Sequence, residues 1–172
     1  MLVLRELVIS IATVAVCMLL GAAVYESVVM APNYVSGFEA LEHARGFLVA
    51  STPGSFFRIL SPAAQVLLLL SVLLSWRATR PSIRWMLLAS LSAAIATDAV
   101  TFTFHYPRND ILFVAPLDRS AAELRGIAQE WAWGNYVRVG LLCVAVTTAI
   151  VAMRRLPRAL SPDNSLERSR EG

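Results

Sequence analysis

The sequence predicts an all-α membrane protein: a membrane-embedded four-helix bundle with two long, partly helical loops on the non-cytoplasmic side. Of the 172 residues, 57% are hydrophobic and only 16% are charged, and the mean hydropathy is +0.62. A soluble domain of this length is far less apolar. About 20 helical residues cross a hydrocarbon core of roughly 30 Å. Four long apolar segments occur, over residues 7–30, 62–76, 82–104 and 136–153.

The first two apolar segments need a closer look at their lengths before they are assigned as membrane spans. The first is longer than a signal-peptide core of about 7 to 15 residues, so we expect a retained helix. The second is short if it begins at Pro62, but a start near Phe56 or Phe57 lengthens it and places Pro62 in the first turns. We expect one transmembrane domain over residues 1–158 and a polar, disordered tail over residues 159–172.

Both long loops contain helical patterns. In the loop over residues 32–61 the turn signal Thr52-Pro53-Gly54 is expected to end a short amphipathic helix that lies on the membrane or caps the bundle. In the loop over residues 107–135, Ser120 with Glu123 three residues later is typical of a helix start, so a helix is expected to run from there into the fourth span. The side chains near one face of the first helix are Phe38, Leu41, Arg45 and Leu48.

The distribution of charge predicts the orientation. Nine of the fifteen basic residues, all arginine, lie in the terminal flanks and in the short connection between the second and third spans. By the positive-inside rule both termini are cytoplasmic, in what we expect to be a bacterial cell membrane. These flanks account for the net charge of +3, so no nucleic-acid partner is expected. Cys17 and Cys143 stand singly in apolar runs, which predicts two small buried side chains rather than a paired-thiol or zinc site.

Two carboxylic acids inside the apolar segments are the main functional clue. Glu26 and Asp98 lie where an ionised carboxylate facing lipid costs roughly 2.5 to 3.5 kcal/mol, so such residues usually face protein or water. With four spans, the ends of the first and third helices and the start of the fourth share one side of the membrane. Glu26, Asp98 and Arg138 are therefore expected to lie near one boundary and to share a cavity.

Helical spacing extends this candidate site. Asp98, Thr101 and His105 stand at i, i+3 and i+7, and Trp131, Asn135 and Arg138 have the same kind of spacing, so each set is expected on one helix face. Carboxylates in different surroundings can divide acid and base roles, which makes Glu26, Asp98 and His105 the candidate catalytic residues. The structural alternative is that these groups only hold the helices together, with Trp131 at the membrane interface.

Four segments of the chain resemble the anthrone oxygenase-like family of small integral membrane proteins. They are GAAVYESVVMAP in the first helix, PGSFFR before the second, YPRNDIL after the third and WAWGNYVR at the start of the fourth. The resemblance implies that Asn109, Trp131, Asn135 and Arg138 line the site. Tyr25, beside Glu26, and Arg58 and Tyr106, within the matching segments, are further candidate substrate-binding residues.

What the resemblance implies is oxidation of an anthrone to an anthraquinone without a metal or flavin, and no cofactor is expected. A carboxylate or histidine would remove the ring proton, and Arg138 would hold the developing oxyanion. The expected partners are a lipophilic small molecule and the lipid bilayer, and association with a second copy of the chain stays open. An acid-triggered membrane cyclase or isomerase of natural-product biosynthesis fits the same residues, as does a non-enzymatic membrane subunit or small carrier.

Overall fold

A computed structural model of the protein describes residues 2–48, 52–77, 79–114 and 118–160. These residues are almost entirely helical, and four of the helical stretches are long and apolar enough to cross a membrane. The four predicted spans are thus confirmed. Most of the predicted tail, from residue 161 onward, lies outside the described residues. The α-helices are α1 (Leu2–Tyr25), α2 (Ala31–Ser36), α3 (Phe38–Phe47), α4 (Pro53–Ser75), α5 (Pro81–Val100), α6 (Tyr106–Asn109) and α7 (Ala121–Leu160).

The four long helices form a closed ring in chain order. Helix α1 packs against α4 and α7, and α5 packs against α4 and, most extensively, along α7. Small residues line much of the core, and the Ser90 hydroxyl donates to the Ala145 carbonyl oxygen (2.8 Å) between α5 and α7. Small side chains allow helix backbones to approach closely in a membrane, where apolar burial alone gives little drive for association. Cys17 and Cys143 lie on the exposed surface of this bundle, so the prediction that they are buried was wrong.

Three π-helical segments occur in the first and third spans, which run beyond their predicted ends to Ser36 and Val114. Glu26–Met30 joins α1 to α2, Thr101–His105 joins α5 to α6, and Asp110–Val114 follows α6. Pro32 and Pro107 each come just after such a segment. A wider turn reduces the clash between a proline ring and the carbonyl group of the preceding turn, so the helices continue through both prolines. The YPRNDIL segment is accordingly helical rather than a loop.

The second span begins a few residues earlier than predicted, at Pro53 rather than near Phe56. Thr52 has extended dihedral angles (φ −111°, ψ 157°), and α4 starts at Pro53. A proline is favourable in the first turn of a helix because its missing N–H has no partner there. Thr52-Pro53-Gly54 therefore starts α4, and the amphipathic helix α3 ends before it, at Phe47. Pro62 lies inside α4, as the longer form of the span requires.

Two predicted helical features of the loops are confirmed. Helix α3 buries Leu41 in a cluster with Tyr34, Leu112 and Trp131 at one end of the bundle, so it caps the bundle. At the start of α7 the Ser120 hydroxyl accepts a hydrogen bond from the Glu123 backbone N–H (3.3 Å). The Glu123 carboxylate in return accepts from the Ser120 backbone N–H (3.1 Å), which completes a capping box.

Candidate functional site

A buried ion pair joins the first and last spans. Arg138 Nη1 lies 3.2 Å from Glu26 Oε2, and both side chains are almost fully buried. The same nitrogen donates to Asn135 Oδ1 (2.8 Å), and the guanidinium group lies over the Phe57 ring, 4.6 Å from its centroid. This geometry confirms that Glu26 and Arg138 meet at a common depth. The ring face and the carboxylate both stabilise the cation where water is excluded.

Asn135 links this ion pair to His105. His105 Nε2 lies 3.0 Å from Asn135 Oδ1, and the imidazole packs against the Trp131 ring at 5.5 Å between centroids. Because an amide oxygen only accepts, His105 Nε2 donates here. The close approach depends on Gly134, since a Cβ atom there would lie 2.5 Å from His105 Cε1 and from Phe104 Cε1. A buried polar chain thus runs from Glu26 through Arg138 and Asn135 to His105.

Asp98 is held by a different set of side chains. The Ser61 hydroxyl lies 2.7 Å from Asp98 Oδ1 and 2.9 Å from Oδ2, and Gln65 Nε2 donates to Oδ2 (2.7 Å). Both donors lie on α4, one turn apart. They fix the orientation of the carboxylate at the interface between α4 and α5.

A cavity of about 380 Å³, here called the deep cavity, brings Asp98 and Arg138 together. All four spans contribute to its wall, which is mostly apolar, and its volume lies within the usual range for small-molecule sites. Pro62 and Phe102 line it and are exposed on the surface of the bundle, so the cavity reaches the side that lipid would cover. Other lining residues include Leu19, Phe57, Thr101 and Leu142.

A second cavity of about 320 Å³, here called the terminal cavity, lies beside the capping helix α3. Glu26, Asn109 and Trp131 line it, and Trp131 Nε1 donates to Asn109 Oδ1 (2.7 Å). Arg58 and Tyr106 line both cavities. The ion pair lies between them as well, because Arg138 lines the deep cavity and Glu26 lines the terminal one.

Most of the predicted site residues line one of these cavities, and three do not. Tyr25 is 56% exposed and lines neither cavity. His105 and Asn135 are buried behind the cavity walls. His105 does not share the face of Asp98 because the π-helical segment Thr101–His105 shifts the register, which brings Tyr106 to the deep cavity instead. The predicted common cavity therefore holds for Asp98 with Arg138 but not for Asp98 with Glu26.

Sequence reasoning missed several residues at the site. Ser61 and Gln65 donate hydrogen bonds to Asp98, but they lie close to the uncertain start of the predicted second span and were not considered as site residues. Tyr34 is buried in the wall of the terminal cavity, with its ring edge-on to Trp131 at 5.4 Å. Trp131 is itself only 4% exposed, so the prediction of an interfacial belt position was wrong for it. An i, i+4 polar pair, Ser61 and Gln65, was the one available signal.

The described residues contain no cluster of side chains suited to bind a metal ion. No group of three His, Cys, Asp or Glu side chains converges anywhere in the described ranges. The polar groups that face the two cavities are carboxylates, guanidinium groups, amides and hydroxyls, and these suit hydrogen bonding to oxygen atoms of an organic ligand.

The four long apolar helices, arranged around internal cavities, define a helical integral membrane protein. A family model described as anthrone oxygenase matches residues 55–148, more than half of the chain. The chain therefore belongs to the anthrone oxygenase family, as the resemblance implied. No curated protein and no solved structure matches it.

Proposed function

We propose that the protein is a membrane-embedded biosynthetic enzyme that oxidises a lipophilic, anthrone-like polycyclic ketone with dioxygen. The observation that carries the proposal is the pairing of Asp98 with Arg138 in the wall of one mostly apolar cavity. Proton removal next to a carbonyl group needs a base to accept the proton and a fixed cation to stabilise the negative charge that develops on the oxygen. Membership of the anthrone oxygenase family supports the same substrate class.

The proposed reaction begins with removal of a proton from the ring methylene group. The electron pair is delocalised onto the carbonyl oxygen, and the resulting enolate reduces dioxygen and forms a carbon–oxygen bond to it. Loss of the second methylene proton and cleavage of the oxygen–oxygen bond release water and leave a new carbonyl group. The methylene carbon thus loses two hydrogens and gains one oxygen, and the other oxygen leaves as water.

Asp98 is the proposed base and Arg138 the proposed oxyanion partner. The Ser61 and Gln65 donors orient the Asp98 carboxylate at the cavity wall, which reduces the cost of positioning it for proton transfer. The Arg138 guanidinium is held in place by Glu26, Asn135 and the Phe57 ring before any substrate binds. Such fixed charges stabilise a developing anion strongly because they need little rearrangement.

The same geometry supports substrate entry from the bilayer. Pro62 and Phe102 belong both to the deep cavity and to the exposed surface of the bundle, at the seam between α4 and α5. A poorly soluble polycycle concentrates in the membrane and would reach the cavity along this seam. We further propose that both termini are cytoplasmic, so that the terminal cavity faces the other side. Reporter fusions at each terminus, active only on one side of the membrane, test that orientation.

The test of the proposed function is oxygen consumption by the purified protein in lipid nanodiscs supplied with anthrone. The expected product gains one oxygen and loses two hydrogens, as measured by mass spectrometry. Asp98→Asn is expected to reduce turnover by about 10²-fold or more, since a positioned base contributes 10²- to 10⁴-fold. Asp118→Asn, an exposed acid outside both cavities, is the matched control and is expected to retain full turnover. Full activity of Asp98→Asn would refute the assigned base, and an isomeric product formed without oxygen uptake would refute the oxidation.

A further inference from the structure

The terminal cavity lies next to the deep cavity and toward the end of the bundle. Arg58 precedes Ser61 by three residues, which is about 4.5 Å along the helix axis, and Ser61 is the residue that holds Asp98. Trp131 precedes Arg138 by seven residues, or about 10 Å, on the same side. Because Arg58 and Tyr106 line both spaces, the two cavities adjoin along these side chains.

One arginine in the wall of the terminal cavity, Arg58, is suited to bind an anion. Glu26 is already compensated by Arg138, which faces the deep cavity. The other charged residues of the wall are Arg45, Arg58 and Asp110. Arg58 is an exposed residue at the cavity wall and makes no ion pair within the ranges that the structure describes. An arginine without a carboxylate partner beside a ligand cavity is well suited to bind a ligand carboxylate with two parallel hydrogen bonds.

Neutral groups of the terminal cavity add to this preference. Asn109 is fixed by its hydrogen bond to Trp131, and Thr52 contributes to the wall on the side of α4. Tyr34 and Trp131 present aromatic surface next to these polar atoms. Such a lining suits an oxygen-bearing substituent on an aromatic ring, whereas the deep cavity suits unsubstituted rings.

We propose that the two cavities form one elongated site for an amphiphilic polycycle, whose carboxylate group is bound by Arg58 in the terminal cavity. The rings then occupy the deep cavity, with the reacting methylene carbon near Asp98. This inference rests on the proposed function for the identity of the ring system, but it assigns the specificity of binding to Arg58, which takes no part in the reaction. Arg58 is here a binding residue and not a proton-transfer group.

Binding of unreactive product-like probes tests the proposal separately from turnover. Anthraquinone-2-carboxylate and anthraquinone are titrated against the full-length protein in nanodiscs, with quenching of tryptophan fluorescence as the signal. The carboxylate is expected to bind about 10-fold more tightly or better, because a charge-assisted hydrogen bond contributes more than a neutral one. Arg58→Gln is expected to abolish this preference, so that the two probes then bind with affinities within about 2-fold of each other. Arg125→Gln, an exposed arginine outside both cavities, is the matched control and is expected to keep the preference.

The outcomes separate the two proposals. Equal binding of both probes to the unaltered protein, binding of neither, or a preference that survives Arg58→Gln would overturn the role of Arg58, even if the protein oxidises anthrone. A preference that depends on Arg58 in a protein that consumes no oxygen would support the anion site and refute the proposed reaction. Arg58→Lys, which keeps the charge but lacks the two-pronged donor geometry, is expected to restore part of the preference if the variant is folded.

Discussion

Glu26→Gln and Arg138→Met are expected to destabilise the bundle strongly one at a time and much less strongly together. In Glu26→Gln the guanidinium group keeps an acceptor but loses the opposite charge, and it stays buried because its side chain is only 5% exposed. In Arg138→Met the Glu26 carboxylate, 7% exposed, loses its only described ion-pair partner. Removing one member of a buried pair costs about 3 to 5 kcal/mol, whereas replacing both can be nearly neutral.

The surface ion pair of the same protein provides the matched control. Arg108 Nη2 lies 2.6 Å from Glu130 Oε2, a shorter contact than the buried one, but the two side chains are 25% and 59% exposed. Exposed ion pairs contribute about 0 to 1 kcal/mol despite good geometry. Glu130→Gln is therefore expected to cost less than about 1 kcal/mol. Burial, and not distance, decides the difference between the two pairs.

Reversible unfolding in mixed micelles measures these costs. The fraction of dodecyl sulfate is raised at constant total detergent, and circular dichroism with tryptophan fluorescence follows unfolding of each single variant and of the double variant. The double variant is expected to be at least about 2 kcal/mol more stable than the sum of the single costs predicts. Additive costs to within about 0.5 kcal/mol, or a Glu26→Gln cost no larger than that of Glu130→Gln, would refute the buried pair.

Three further predictions use the same unfolding titration. Gly134→Ala places a methyl group against His105 and Phe104 and is expected to cost about 1 to 3 kcal/mol. Gly140 lies on the same helix, and a Cβ atom there would have no neighbour within 4 Å, so Gly140→Ala is the control and is expected to be neutral or stabilising. Equal effects of the two substitutions would contradict the close packing at Gly134. Ser120→Ala removes the capping hydroxyl and is expected to cost about 1 kcal/mol, with the loss confined to the start of α7 in hydrogen exchange; protection unchanged there would argue against the cap. Trp131→Phe keeps an aromatic ring but removes the hydrogen bond to Asn109 and part of the buried volume, so a cost of about 1 kcal/mol or more is expected. An unchanged midpoint would speak against that bond.

Topology made part of the site predictable. An even number of spans fixes which helix ends share a side of the membrane, and depth along each helix then follows from residue count alone. That reasoning brings Glu26 and Arg138 together, and the structure places them in contact. It does not specify rotation about the helix axis. For that reason it also grouped Asp98 with Glu26, although Asp98 faces α4 and bonds to Ser61.

Local patterns predicted helix starts well where side chains act on the backbone, and less well near prolines. Ser120 and Glu123 mark the start of α7 because each bonds to the backbone of the other. Pro107 suggested the end of a helix, since a regular α-helical turn cannot hold it without a clash. The sequence offers no comparable sign of a π-helical turn, which depends on packing against neighbouring helices as well as on local preference. Helical extensions through Pro32 and Pro107 were missed for this reason.

The π-helical segment Thr101–His105 also determines how the chain tolerates changes of length. A π turn holds one residue more than an α turn, so deletion of a single residue there is compatible with an uninterrupted α-helix. Side chains beyond the deletion would keep about their present direction, because the turn closes with one residue fewer, so Tyr106 and Asn109 would still face their cavities. A one-residue deletion at this place would therefore leave the membrane fold and both cavity walls largely intact, whereas the same deletion in the middle of α5 would turn every later side chain by about 100° around the axis and displace His105 from Asn135.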